Sequence, residues 1–550
     1  VADLLFEIGA EEIPAGFVPP ALKQLEADLA FALGEARLAH GEVKAVGSPR
    51  RLAVWARGVA ARQADGRTEA LGPPVAQAFD AQGRPTQAAL GFARSQGVEV
   101  SGLSRVQTPK GERVAVTRVE KGRKAEQVLP AILGRLVAGL RFKKSMRSRF
   151  DEATFARPVR WMVALYGGRP VAVRHGEVRS GKATHGHRFL HPRAIPLTGT
   201  PEDYLAKLRR AKVLADPAER RASIEKEIAR AAKAAGGTVL ENPGLLDEVT
   251  FLVEIPTAVA GEFEKSNLAL PPEVVLSEMR SHQRYFAVVD GAGKLRNRFV
   301  AVAGTPVKDP KVARHGYERV LRARLADARF FFEEDRKKRL RDRIEALGRR
   351  TYQAKLGSEL DRTHRIGAIA TGLARALGKE GLVADLLETA RLCKTDLTTG
   401  MVGEFPDLQG IMGGHYARLE GLKPEIADAI EDHYRPLGAS EEMPRGDLGA
   451  LVGLADRLHA LVGIIGVGEK ATGAADPFGL RRAAIGILRI LMDRGYHLSL
   501  AGAVETALDS LEGVRLAADR TVVAGQVLDF AGKRLEGLWG EQFAPDLVAA

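Results

Sequence analysis

Short apolar runs in which β-branched and aromatic residues alternate with polar ones mark the first half of the chain as strand-rich. DLLFEIGA near the N-terminus, RRLAVWARGVA from Arg50, ERVAVTRVE from Glu112 and RWMVALYGGRPVAVRHGEV from Arg160 are each bounded or broken by glycine or proline. The last reads as two strands joined around Gly167 and Gly168. Between them, PPALKQLEADLAFALGEARL has helical spacing and a proline-led start. A longer helix is predicted from Asp216, an N-cap followed by Pro217, through Ile224 and Ile228 to a stop at Gly236-Gly237. Two further strand patterns follow, FLVEIPTAVAGEF and YFAVVDGAGKLRNRFVAVAG, the second a hairpin turning at Asp290-Gly291-Ala292-Gly293.

From about Tyr317 the period changes to 3.6 and stays there. Leu321, Leu325, Ala328 and Phe332 fall on one helical face. THRIGAIATGLARALG, LVADLLETARLCKTDL, EIADAIEDHY, LVGLADRLHALVGI and LRRAAIGILRILMDRG each suit a packed helix, with the change of character near residues 310–340. No internal repeat or low-complexity tract interrupts the pattern.

The chain has 550 residues, enough for three or four domains at roughly 150 residues each. Its 45% hydrophobic and 27% charged residues are ordinary for a globular protein. No apolar run approaches the roughly 20 residues of a membrane span, and the acidic N-terminus lacks a secretory n-region. A single cysteine, Cys393, excludes an internal disulfide and fits a reducing cytoplasm; it reads as an inert packed thiol. The net charge of +13 points to an anionic partner. The excess gathers in RLVAGLRFKKSMRSRF (Arg135 to Phe150), with six basic residues and no acid, in KDPKVARHGYERVLRAR (Lys308 to Arg324) and in EEDRKKRLRDRIEALGRR. Such stripes suit phosphate contact through counterion release. The competing reading, a solvated helix face paired with acids, weighs about equally for any one stripe.

Candidate chemistry narrows this further. GIIGVGEK spaces Gly463 and Gly468 like a Walker loop but has Glu469 where lysine should follow, and the G-x-G-x-x-A run from Gly466 to Ala471 follows a helical pattern instead of a strand. KKSMR is similar to the lysine-serine loop of class I synthetases, yet no matching histidine-glycine signature precedes it. In THGHRFL, His185 and His187 would share a strand face, with His191 nearby; without cysteine or regular ligand spacing they read as a hydrogen-bonded or RNA-facing pair. CKTDLTTGMVGEFPDLQGIMGGHYA, from Cys393 to Ala417, could be a degraded metal site, a docking surface or tightly turned packed helices. His364, Thr395-Asp396 and Asp456 follow the order of HD-superfamily phosphohydrolases, but Thr395 stands where the pair's histidine belongs, and a hydroxyl is a poor substitute for imidazole on a transition metal. These four are expected to be a degenerate metal site holding no metal, with Asp396 and Asp456 as helix caps or ion-pair partners.

LLFEIGAEEIPAGFVPPAL, SPRRLAV, FARPVRWMVALYGG, THGHRFL, ENPGLLDEVTFLVEIPTAVAGEFE, SHQRYFAVVD, ERVLRARLADARFFFEED, GEFPDLQGIMGGHYA and GAADPFGLRRAAIGILRIL occur in order along nearly the whole chain. Together they resemble the β subunit of bacterial heterotetrameric glycyl-tRNA synthetase, whose HD-like domain is similarly degenerate. The resemblance implies an α2β2 assembly in which a separate α subunit carries the class II site for ATP, with magnesium, and glycine, while this chain recognises tRNA(Gly) in the cytoplasm with no cofactor and no catalytic residue of its own. Family members usually extend into an anticodon-binding domain, and DFAGKRLEGLWGEQFAPDLVAA resembles its beginning.

The expected fold is therefore multidomain α/β plus all-α. An N-terminal α+β domain covers 1–200, and a second α+β region with a hairpin covers 201–320. A helical HD-like domain covers 321–500, and the start of a helical anticodon-binding domain covers 501–550. The tRNA-binding candidates are Arg141, Lys143, Lys144 and Arg147 in one stripe and Arg314, Arg319, Arg322 and Arg324 in another. The alternatives are an HD-type metal-dependent phosphohydrolase acting on nucleotides or RNA, and an RNA-binding scaffold without a synthetase partner.

Overall fold

The computed structural model describes residues 1–109, 111–148, 152–438, 442–469, 476–540, 543 and 545–549. Arg149 and Phe150 of the first basic stripe, Lys470 and Ala471 of the glycine pattern, residues 473–475 of GAADPFGL and residues 541, 542, 544 and 550 of the final stretch lie outside the described residues. The chain divides into two compact units. One comprises Val1–Gly261, Arg284–Gly293 and Arg298–Arg314; the other comprises Glu262–Gln283, Lys294–Asn297 and His315–Ala550.

The first unit is built on a seven-stranded sheet. Its strands include β1 (Ala2–Ala10), β2 (Val43–Ser48), β3 (Arg51–Val59), β4 (Val159–Tyr166) and β5 (Val178–Gly181). β1 runs antiparallel between β3 and β4, with Leu5 opposite Trp55 and Leu165 and Glu7 opposite Ala53 and Val163. Because side chains alternate across a strand, Leu4, Phe6 and Ile8 face one layer. There they pack against α1 (Val18–Glu35) and α2 (Ala125–Gly139) through Leu25, Leu29, Leu129 and Leu133. Leu5 joins Trp55, Trp161, Leu165 and Tyr204 in a second cluster. Gly9 permits this: a Cβ there would lie 1.9 Å from the Trp161 ring.

Next in the chain come β6 (Ala183–His185), α3 (Pro217–Ala234) and α4 (Pro243–Thr250). As the sequence predicts, the Asp216 carboxylate caps α3 by accepting from Ala218 N at 2.9 Å. Ile224, Ile228, Leu245 and Val249 of α3 and α4 cover a four-stranded sheet containing β7 (Phe286–Val289) and β8 (Leu295–Ala303), the expected hairpin. Two strand expectations are corrected. Beyond Gly167-Gly168 the second strand breaks into Arg169–Pro170 and Arg174–His175. In FLVEIPTAVAGEF only Thr257–Glu262 is a strand, because Glu254 turns inward to meet Arg51 and Pro256 follows it.

The second unit is helical. From His315 onward it includes the long α5 (Pro310–Asp335), which buries Leu321, Leu325, Ala328 and Phe332, the face predicted from spacing. Then follow α6 (Glu359–Ala376), α7 (Val383–Leu392), α8 (Ile411–Leu419), α9 (Pro424–Asp432), α10 (Asp447–Gly466), α11 (Leu480–Arg494), α12 (Leu500–Asp509) and α13 (Arg520–Gly540). α10 is apolar on nearly every face because α6, α9, α11, α12 and α13 surround it. Among the described residues it is the one helix long and apolar enough to cross a membrane, and most of it is packed inside this unit. Gly463 lies within α10 and Gly468 just past its end with a positive φ, so the Walker-like spacing straddles a helix C-terminus.

Candidate nucleic-acid interface

At the end of α2 the chain leaves the sheet's helical layer as a basic segment. Gln24 of α1 fixes the exit: its Nε2 donates to Gly139 O at 2.9 Å and its Oε1 accepts from Arg141 N at 3.0 Å. Phe142 then packs against Phe17 and Phe155, ring centroids 6.1 and 5.0 Å away. With Phe142 anchored inward, Arg141, Lys143, Lys144 and Arg147 are all exposed. Among the described residues no acid pairs with the first three; Arg147 pairs with Glu152. A short ribbon of Met146–Arg147 against Thr154–Phe155 borders a cleft of about 580 Å³. Arg147 lines it with Arg157, Arg160 and His175. Arg157 and Arg160 belong to FARPVRWM, which the sequence marks only as a block of the family resemblance and, from Arg160, as the start of a strand. Their role in the cleft depends on the ribbon folding back, which no local pattern signals.

The α5 stripe is differently disposed. Arg314 donates from Nε to Ala260 O at 3.0 Å. Arg322 pairs with Glu264 at 2.5 Å, and Arg324 lies 3.8 Å from Glu278 and 3.5 Å from Glu404. Arg319 is exposed with no ion pair among the described residues. Three of the four candidates are thus engaged by neighbouring carboxylates or a carbonyl.

THGHRFL contributes to a buried ionic knot instead of a histidine pair. Arg51, fully buried, donates from Nη1 to Glu7 Oε1 at 3.2 Å, to Thr184 Oγ1 at 3.4 Å and to His185 O at 2.7 Å. Its Nη2 and Nε donate to Glu254 Oε1 at 3.2 and 3.3 Å, where Ser48 Oγ also donates at 2.6 Å. Burial alone would lower the Arg51 pKa; the Glu254 and Glu7 carboxylates more than reverse it. Burial raises that of Glu7, against the pull of Arg51 and Thr184. His185 packs at a 60° tilt against Trp161 with centroids 4.9 Å apart, and its pKa is lowered by burial and then by Arg51 and Arg50. His187 lies beyond the end of β6. Its Nδ1 accepts from Phe189 N at 3.3 Å, so its Nε2 carries the proton donated to Gly304 O at 2.9 Å.

In the helical unit the four positions compared with a metal site do not gather around one point. His364 is exposed on α6, whose buried face is taken by Thr363 and Ile366. Thr395 Oγ1 donates to Leu392 O at 2.7 Å. Asp396 Oδ2 accepts from Gly410 N at 2.5 Å and Gly413 N at 3.2 Å, tying the start of α8, and burial pushes its pKa up to about 6. Asp456 pairs with Arg362 at 2.7 Å and Lys394 at 2.8 Å. Burial opposes its ionisation, but these two cations hold its pKa well below the ordinary value. Among the described residues no group of three or more His, Cys, Asp or Glu could hold a metal ion. The Cys393–Ala417 stretch is a run of short packed helical turns, with Phe405 and Leu408 buried. Cys393 is fully buried, and burial pushes its thiol up to about 12. Sequence reading passed over Arg362, Lys394 and His433, since a buried lysine looks like a surface one until its partners are placed.

A family model described as "Glycyl-tRNA synthetase beta subunit" matches residues 4–550. The glycine--tRNA ligase beta subunit of Anaeromyxobacter dehalogenans (strain 2CP-C) is 77% identical over 550 residues, spanning 100% of this chain and 78% of its own length. The proteins of the same name from Myxococcus xanthus (strain DK1622) and Geobacter metallireducens are 49% and 47% identical, again over 100% of this chain and over 78% and 79% of theirs.

Proposed function

The chain belongs to the glycyl-tRNA synthetase β-subunit family, and from that premise we propose that it binds tRNA(Gly) and positions it for aminoacylation by a separate α subunit. In this reading the partners form an α2β2 tetramer in the cytoplasm, and the α subunit holds ATP, magnesium and glycine. The observation that carries it is the exposed segment Arg141, Lys143, Lys144 and Arg147 beside the cleft with Arg157 and Arg160. Phe142 anchors it to the core, so its cations are presented together instead of being dispersed on a flexible arm. Phosphate contacts of this kind position an RNA without reading its sequence. Arg319 is a lesser candidate; Arg314, Arg322 and Arg324 contribute less because their partners are already in place.

The phosphohydrolase alternative has no support here, since Arg362 and Lys394 balance the charge of Asp456 and His364 is exposed on α6. The HD-like origin of the helical unit stays part of the proposal, as do its extent over 321–500 and the beginning of an anticodon-binding domain over 501–550.

The test is a tRNA(Gly) anisotropy titration at several salt concentrations, with and without the α subunit, beside an ATP–pyrophosphate exchange assay. Affinity that falls steeply with salt, and exchange only when the α subunit is present, are the expected results. Salt-independent binding, or glycine activation by this chain alone, overturns the reading.

A further inference from the structure

Five stretches far apart in sequence meet around Arg50: Glu12 after β1, the β2–β3 turn, the turn at His187–Phe189, the Leu252–Glu254 segment after α4 and Gly304-Thr305 after β8. They enclose a cavity of about 230 Å³. Pockets for drug-sized ligands run to roughly 300–1,000 Å³, so this one suits a single planar ring system. Its rim carries the Phe189 ring, 77% exposed, with Leu252 also exposed. The Phe189 turn is not slack. His187 holds it from both ring nitrogens, and Arg188 ties it to Glu12 at 2.5 Å while lying 5.6 Å from the Phe189 ring centroid.

The inner wall supplies the complementary feature. The Arg50 guanidinium lies against Trp161, 5.7 Å from the ring centroid, and its Nε is buried without a hydrogen-bond partner. Glu12 and Glu11 form long ion pairs with Arg50, 3.8 Å from its Nε and 3.9 Å from its Nη2, which balance its charge without making hydrogen bonds. Glu254 on the same wall is committed to Arg51 and Ser48. An exposed aromatic face beside an arginine whose Nε makes no hydrogen bond matches how proteins take up unpaired nucleotides: the base stacks and the guanidinium meets phosphate or a base edge.

We infer that this cavity receives one unpaired nucleotide of RNA, its base against Phe189 and its phosphate or base edge at Arg50. The inference rests on the tRNA-binding role proposed above and adds a place where a single-stranded part of that RNA is held.

The experiment compares the wild-type chain with Phe189→Ala, Phe189→Trp and Arg50→Gln, titrating an unstructured RNA decanucleotide, a blunt-ended RNA duplex and tRNA(Gly). Phe189→Ala is expected to weaken the decanucleotide and tRNA about ten-fold, the loss of one stacked base, while duplex affinity and the salt slope stay unchanged. Phe189→Trp retains wild-type affinity, and Arg50→Gln weakens the same two ligands. A Phe189→Ala chain that binds the decanucleotide as tightly as wild type, or loses the duplex equally, overturns the inference, as does a wild-type chain that does not bind the decanucleotide. If tRNA and duplex both fail to bind, the broader role falls, and the decanucleotide comparison still decides the cavity.

Discussion

Lys394 Nζ lies 2.8 Å from Asp456 Oδ2 and 2.9 Å from His433 Nε2, at the centre of the helical unit and fully buried. The lysine donates to both, so His433 is neutral with its proton on Nδ1, donated to Ile430 O at 2.7 Å. The ammonium also sits 3.9 Å from the centroid of the Tyr434 ring. Removing one partner of a buried ion pair leaves an uncompensated group, at a cost of about 3–5 kcal/mol. Lys394→Ala is expected to lose stability in that range, read by urea unfolding. Pairing it with Asp456→Asn should cost less than the sum of the two single changes. Full additivity would show that the two side chains are not coupled.

The same cluster sets a pH dependence. His459 is buried with neither ring nitrogen bonded, and burial followed by Arg362 drives its pKa down to about 3. An unfolded histidine titrates near 6.5. Between those values the unfolded chain takes up a proton that the folded chain refuses, so stability falls as pH drops from 6.5 toward 3. His433, lowered by burial and then by Lys394, acts in the same direction. Asp456 adds to the loss once the pH falls below its unfolded value near 3.8. Asp396 opposes them: with its folded pKa raised to about 6 from 3.8, it gains stability as pH falls through that window. The expected net result is a Tm that declines between pH 7 and 5, with a shallower decline in His459→Leu. Identical pH profiles for the two proteins would rule out this origin.

Gly413 brings α8 close to α9 and to the Asp396 carboxylate. A Cβ there would lie 2.8 Å from Ile430 Cγ2 and 3.1 Å from Asp396 Oδ2. Its backbone φ is not in the left-handed region, so the constraint is space. Gly413→Val is expected to destabilise the chain by about 1–3 kcal/mol, measured by thermal melting. An unchanged Tm would mean that the helices separate at no cost.

The two basic stripes should respond unequally to charge reversal. Lys144→Glu removes a cation that no acid balances among the described residues, whereas Arg322 already faces Glu264. Lys144→Glu is expected to weaken tRNA binding several-fold for every tRNA sequence and to reduce the salt slope by about 1. Arg322→Glu should change affinity less. Equal losses in an anisotropy titration would mean that the α5 pairs open when RNA binds.

Elements whose information is local were legible in the sequence. The buried face of α5, the Asp216 cap and the Asp290–Gly293 turn each depend on residues a few positions apart, and the structure places them as expected. Groups that acquire meaning only through distant partners were not. Glu254 sits in an apolar run that reads as strand, and its inward turn is dictated by Arg51, 203 residues away. His364 has the right order for a metal ligand, yet the helical period puts Thr363 and Ile366 on the buried face and leaves it in solvent. Arg50 and Phe189 were visible only as parts of motifs; the cavity between them exists because five segments converge.

The knot around Arg51 also bears on the order in which the protein can be made. Its counter-charges come from residue 7 and residue 254, and the turn beside it is held by the carbonyl of residue 304. A ribosome that has delivered only the first two hundred residues has supplied the whole of β1, β3 and β4 but only one of the two carboxylates. Burying Arg51 at that stage would leave it half-compensated, an arrangement several kcal/mol worse than the finished one. The ionic centre of the sheet is therefore complete only once the segment carrying Glu254 has joined it. The centre of this unit, discontinuous in sequence, thus depends on a contact spanning 203 residues and not on its first strands alone.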